Sequence, residues 1–226
     1  MGRKPWLSIL ALLILAAGLG VLLYPTAQNF LYDRDTEKMK REFLQNTGDY
    51  DALYAFLKAE NERLFETGQT DLKDAFSYEQ SAVDLSAYGI RDNIIGFVSI
   101  PAIDIELPIL LGANKVNMMK GAVHLTETSY PIGGGNTNSV IAAHRGQTVR
   151  QLRNIHKIQI GDEIIITNFR EALTYRAAEI RIIWPWETDT ILIQPDREVV
   201  SLLSCHPLGD NTPRNQRYLV VCERVK

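Results

Sequence analysis

The residues best suited to chemistry gather at one junction near the C-terminus. The run Val199-Val200-Ser201-Leu202-Leu203-Ser204 ends on Cys205, and a polar loop follows with Pro207, Gly209, Asn211 and Pro213. A second apolar run, Tyr218-Leu219-Val220-Val221-Cys222, then opens on Arg217. This pattern predicts two strands joined by a loop, with Cys205 at one rim and Arg214 or Arg217 at the other. A thiol at a strand end beside a loop meets solvent, whereas one in mid-strand packs. The competing reading is a small buried hydrophobe that terminates a strand.

A cysteine nucleophile acts as thiolate, and a free thiol titrates near ~8.5. A neighbouring imidazolium holds the sulfur ionised and later hands a proton to a leaving amine. An arginine nearby stabilises the oxyanion of a tetrahedral intermediate. Of the four histidines, His144 ends the apolar run Ser139-Val140-Ile141-Ala142-Ala143, and so sits at a rim as Cys205 does. His124 lies in Ala122-Val123-His124-Leu125 and reads as a hydrogen-bonded core residue; His156, between Asn154 and Lys157, reads as solvated. His206 adjoins Cys205, and successive side chains on a strand point to opposite faces, which makes it a poor partner for the thiol. Cys205, His144 and one of Arg217 or Arg214 supply all three roles.

The elements that must position these groups follow from the rest of the chain. Its 226 residues suffice for one domain with a sizeable core. A net charge of −3 gives no basic field for nucleic acid. The two cysteines, Cys205 and Cys222, have no C-x-x-C spacing, and there is no H-E-x-x-H, so a zinc site has little support. A Cys205–Cys222 disulfide between neighbouring strands is the direct rival of a reactive thiol. Residues 1–5, with Arg3 and Lys4, read as a cytoplasmic N-terminus, and Trp6 to Tyr24 carries no charge over 19 residues. As a helix that run spans roughly 28 Å, close to the ~30 Å hydrocarbon core. It is longer than a signal-peptide core and predicts an uncleaved single-pass anchor at 6–24, with everything after it outside the membrane.

Residues 25–67 form a helical segment: Met39, Phe43, Leu44, Leu53, Phe56, Leu57 and Leu64 recur at helical steps from Asp35 to Glu66, with Gly48 separating two helices. The period disappears over 68–92, a polar loop long enough to be a lid or binding loop. From 93 to 226 short strands are predicted at 94–100, 105–111, 139–143, 163–167, 172–183, 198–204 and 218–225, with short helices at 114–120 and 148–155. Their even spacing argues for a mostly β fold, a closed or nearly closed barrel.

The chain resembles the sortases, membrane-anchored cysteine transpeptidases of Gram-positive bacteria. Ser201-Leu202-Leu203-Ser204-Cys205 is similar to their Thr-Leu-x-Thr-Cys signature, with both threonines replaced by serine. Tyr130 to Gly146, with Gly133-Gly134-Gly135 and His144, resembles the family's histidine strand, and Gly161-Asp162-Glu163 also fits. The resemblance implies an eight-stranded closed barrel and a two-step acyl transfer. Cys205 attacks the Thr–Gly carbonyl of a Leu-Pro-x-Thr-Gly-like sorting signal, His144 moves the protons, and Arg217 (alternatively Arg214) holds signal and oxyanion. No metal or organic cofactor is implied.

Asp74-Ala75-Phe76 resembles the Asp-Pro-Phe/Trp lid of the pilus-polymerising class C enzymes, in which the aspartate contacts the active-site arginine and the aromatic covers the cysteine. Alanine replaces the proline here. Many class C members also carry a C-terminal hydrophobic helix, and the stretch ending Glu223-Arg224-Val225-Lys226 holds none. The partners so implied are secreted pilin or surface proteins bearing the signal, with a pilin lysine as acceptor amine. Two rival readings remain at this point: attachment of surface proteins to a cell-wall peptidoglycan cross-bridge, and a non-catalytic anchored barrel whose cysteines pair.

Overall fold

The computed structural model describes residues 5–46, 48, 50–74, 83–146, 151–207 and 215–225. Helix α1 runs from Pro5 to Gln45 without a break, passing through Pro25. Its first half is apolar all round and exposed, with Leu12, Leu15 and Leu22 among its uncovered side chains. That half is long and apolar enough to cross a membrane. The second half is one-sided. Met39 and Phe43 pack on Ile94, Phe97 and Leu110, the Phe43 and Phe97 rings lying 5.5 Å apart edge to face. Tyr32 donates a hydrogen bond to the Lys120 carbonyl at 2.9 Å, and Lys40 pairs with Glu106. The expected separate helix from Asp35 is thus the continuation of the apolar one.

Helix α2, Asp51–Thr67, buries Leu53, Leu57, Asn61 and Leu64, one face at helical spacing. It ends where Gly68 enters the left-handed region at φ 75°, and the Gly68 N–H bonds back to the Leu64 carbonyl. Asn61 grips the Tyr130 main chain through both of its amide atoms, at 2.7 and 3.3 Å. Helix α2 therefore lies over the loop that feeds the histidine strand.

Eight strands close a barrel: β1 Ile94–Ile100, β2 Ile105–Leu111, β3 Ala122–His124, β4 Thr137–Ala142, β5 Glu163–Asn168, β6 Ala172–Ile183, β7 Glu198–His206 and β8 Gln216–Arg224. Their order around the barrel is β1-β2-β3-β4-β7-β8-β6-β5. Closure requires β1 to approach β5 so nearly that a Cβ on Gly96 would sit 2.5 Å from the Thr167 carbonyl oxygen, which explains the glycine there. Helix α3, Lys115–Lys120, is capped by the Asn114 side chain. The helix expected at 148–155 does not form in its described part: residues 151–154 are turns, and a single 3₁₀ turn follows at Ile155–Lys157.

The central strands bury both faces. Val200, Leu202, Val220, Cys222 and Ile141 point into the barrel interior. Val199, Leu203, Leu219, Val221, Val140 and Ala142 point outward, into a second cluster that also holds Ile183 and Leu72. Because side chains alternate along a strand, this parity decides which residues share a face.

Candidate active site

Cys205 belongs to the outward set of β7, with Val199 and Leu203. Strand β8 pairs antiparallel with it, and Cys205 faces Arg217 directly in the register. The two therefore lie at one rim and on one face, not at opposite rims as the loop between them suggested. Strand β4 runs parallel to β7, and each of its residues is partnered by the residue 61 positions later. The Ala143 N–H still bonds to the Leu203 carbonyl at 3.1 Å, and the Ser204 hydroxyl donates to the Ala143 carbonyl at 2.7 Å. The same offset, continued past the end of β4, carries the chain at His144 toward the level of Cys205. Neighbouring strands are ~4.8 Å apart. Cys205 and Arg217 thus face each other on paired strands, and His144 lies just past the end of β4, the strand on the other side of β7.

Two features hold His144 where the ladder ends. Its N–H donates to Gln151 Oε1 at 3.0 Å, and its carbonyl accepts from the Leu152 N–H at 3.1 Å. Gln151 is buried, and its Nε2 donates to the Met118 carbonyl at 2.9 Å, tying the histidine to the end of α3. The side-chain amide does the work of a strand that has run out, since β3 begins only at Ala122.

Arg217 is 7% exposed, and its fork closes on Asp74, Nε to Oδ1 at 2.8 Å and Nη2 to Oδ2 at 2.7 Å. Burial alone would lower the Arg217 pKa, but the Asp74 hydrogen bonds and charge, with Cys205, raise it overall. The segment before Asp74 is seated on the outer face: Leu72 packs in the outer cluster, while Gln69 donates to the Glu127 carbonyl and accepts from the Ile193 N–H. Phe76, the aromatic of the expected lid, and Arg214, the alternative arginine, lie outside the described residues.

Neither cysteine is in a disulfide, which overturns the paired-cysteine reading. The reason is geometric. Cys222 faces Val200, five positions along β7 from Cys205. That is about 17 Å at ~3.4 Å per residue, and the two thiols point to opposite faces, whereas a disulfide needs Cα atoms within ~7 Å.

The remaining histidines have other roles. His124 is 2% exposed and stacks on Tyr130 at 4.9 Å, its Nε2 donating to the Ser129 carbonyl at 3.0 Å. Burial drives its pKa down to about 4, so it is a neutral core residue. His156 is exposed. Three supporting residues escaped the sequence reading: Ser204, Gln151 and Arg145. Arg145 directly follows His144, and Ser204 lies inside the signature run. Position alone could have flagged those two, whereas Gln151 gave no signal.

A sortase-domain family model matches residues 98–225. The crystal structure of Streptococcus agalactiae sortase C1 in complex with MTSET is similar at a TM-score of 0.73 and 26% identity, covering 82% of this chain and 96% of that one. The pilus-related sortase C of Group B Streptococcus gives 0.70 and 28%, covering 88% and 96%. Sortase D of Bacillus subtilis is 29% identical over 132 residues, which is 58% of this chain and 63% of that protein's length.

Proposed function

The chain belongs to the sortase family of cysteine transpeptidases, and from that premise we propose that it joins pilin subunits through Cys205, His144 and Arg217. The Cys205 thiolate attacks the threonine carbonyl carbon of a Leu-Pro-x-Thr-Gly-like signal. A C–S bond forms and the carbonyl electrons move to oxygen, where the Arg217 guanidinium, once released by Asp74, balances the charge. The oxyanion collapses, the Thr–Gly C–N bond breaks, and imidazolium His144 gives its proton to the departing glycine amine. The thioester is then attacked by a lysine amine of a second subunit. His144 takes that amine's proton, the thiolate leaves, and an isopeptide bond remains.

The observation that carries the pilus reading is the closed Arg217–Asp74 fork, formed across 143 positions of sequence by the loop before the barrel. It supports a lid that occupies the arginine until a substrate displaces the aspartate, with Asp74 and Phe76 as lid residues. The names of similar enzymes, sortase C1 and pilus-related sortase C, support the same class. Helix α1 anchors the enzyme by its apolar half, with Arg3 and Lys4 on the cytoplasmic side and the barrel outside, where secreted proteins bearing the signal emerge.

The test incubates the full chain in detergent with a sorting-signal peptide, then with either a pilin subunit or a cross-bridge peptide. Intact mass should show a thioacyl adduct on Cys205 that resolves onto the pilin lysine. An adduct that transfers only to the cross-bridge peptide would replace the pilus reading with wall anchoring. Failure to form any adduct on Cys205 would remove both.

A further inference from the structure

A second arginine stands behind Cys205 in surroundings unlike those of Arg217. Arg145 is 4% exposed, and its Nη1 donates to the Cys205 carbonyl at 3.3 Å and to His206 Nδ1 at 3.1 Å. Its guanidinium carbon lies 5.1 Å from the centre of the Tyr218 ring. Its Nε is buried without a hydrogen-bond partner. A carbonyl, an imidazole nitrogen and an aromatic face surround the charge, and none of them is an anion. Burying a guanidinium without a counter-charge is strongly unfavourable. Burial accordingly lowers the Arg145 pKa, an effect that Tyr218 and Cys205 oppose.

Among the described residues, the other charged and titratable groups at this rim do not supply an anion for Arg145. A guanidinium only donates, so His206 accepts at Nδ1 and is neutral with its proton on Nε2. Its pKa is lowered by burial and by Arg145. His156, on the Ile155–Lys157 turn, is also held down, by burial first and then by Arg145. His144 approaches from the end of β4. Asp74 is committed to Arg217, whose own charge is thereby matched while that fork is closed. Among the described residues, the group near Arg145 that turns anionic during the reaction is the Cys205 thiol.

We propose that Arg145 is a positioning residue that holds the Cys205 main chain and supplies the charge favouring its thiolate while Arg217 is engaged by Asp74. This rests on Cys205 being the nucleophile. On ionisation the thiol proton leaves to His144 or water, and Arg145 keeps its own proton throughout. The arrangement divides the labour of two arginines: one primes the sulfur at rest, and the other meets the oxyanion once substrate has entered.

The test is the rate of iodoacetamide labelling of the full chain in detergent, followed by intact mass from about pH 5 to 9, for the native protein, R145K, R145Q and C205A. Only Cys205 should label, because Cys222 is wholly buried and burial pushes its thiol pKa up. R145K should keep the native pH profile. R145Q should move its inflection up by about one unit, making labelling about tenfold slower on the acidic limb. Arg145→Met, of similar length and uncharged, carries the same expectation should R145Q not fold. An unshifted profile in the folded neutral variant overturns the proposal, as does a lysine variant shifted as far as the neutral one. Labelling that survives in C205A removes the nucleophile reading itself, and the inference with it.

Discussion

Two cysteine and histidine pairs, Cys205 with His144 at the rim of this barrel and Cys222 with His124 in its interior, have divergent fates. Cys205 sits near the end of β7 opposite Arg217, and His144 follows just past the end of β4. Cys222 and His124 point inward, with Cys222 fully covered and His124 2% exposed. Burial raises the Cys222 pKa and lowers that of His124, so each is driven to its neutral form. The low-dielectric interior keeps Cys222 and His124 neutral, whereas Cys205 at the rim faces the Arg217 guanidinium. Strand parity, a matter of one residue either way, decides which fate applies.

The largest effect expected from breaking that contrast is at the two thiols. Cys205→Ala should abolish the thioacyl adduct and thiol labelling, whereas Cys222→Ala should keep turnover and lose about 1 kcal/mol of stability from a small cavity. Intact mass and thermal melts read the pair, and turnover surviving in Cys205→Ala would move the nucleophile elsewhere. Next in size, Arg217→Ala should lower kcat by about 10²–10³-fold, as for removal of an oxyanion donor. Arg214→Ala should cost far less; the reverse ranking would reassign the oxyanion role.

Much of this contrast could be read before any coordinates, and the exceptions have physical causes. The junction around Cys205, the rim position of His144 and the core character of His124 followed from strand ends and local composition. The face on which each residue lies did not. Strands β4 and β7 are apolar on both sides because an outer cluster covers them, so the alternation that would reveal parity is hidden. Strand β3, only three residues long, was too short to show a period. Helix α1 passes through Pro25, a residue that reads as a terminator. The Asp74–Arg217 fork joins two segments far apart in sequence, and only the resemblance to a known lid pointed to it. Gln151 and Arg145 act through main-chain atoms, whose positions depend on register and loop path.

His124 gives the comparison a pH axis. Its folded-state pKa is depressed from 6.5 to about 4 by burial, so between those values the unfolded chain binds the extra proton. Stability therefore rises with pH across that window and is level above it, the His124 contribution approaching about 3 kcal/mol at most. Denaturant melts at stepped pH should show this slope, and His124→Gln should flatten it. A wild-type slope surviving in His124→Gln would assign the titration to another group.

The smallest effect tests whether the rim is reachable at rest. With the fork closed, Asp74 spends both carboxylate oxygens on Arg217, and the segment behind it is pinned through Gln69 and Leu72. Asp74→Ala removes the fork while leaving those two attachments intact. One charge-assisted hydrogen bond contributes about 1.5–3 kcal/mol, enough to move a closed-to-open equilibrium by tenfold or more. Labelling of Cys205 should therefore quicken by about that factor when the loop is a lid. Freeing Arg217 also adds a second uncompensated charge beside the sulfur, so the inflection of the labelling profile should fall as the rate rises. A faster rate with an unmoved inflection would make Asp74 a barrier and nothing more, and an unchanged rate would leave the loop no part in guarding the thiol.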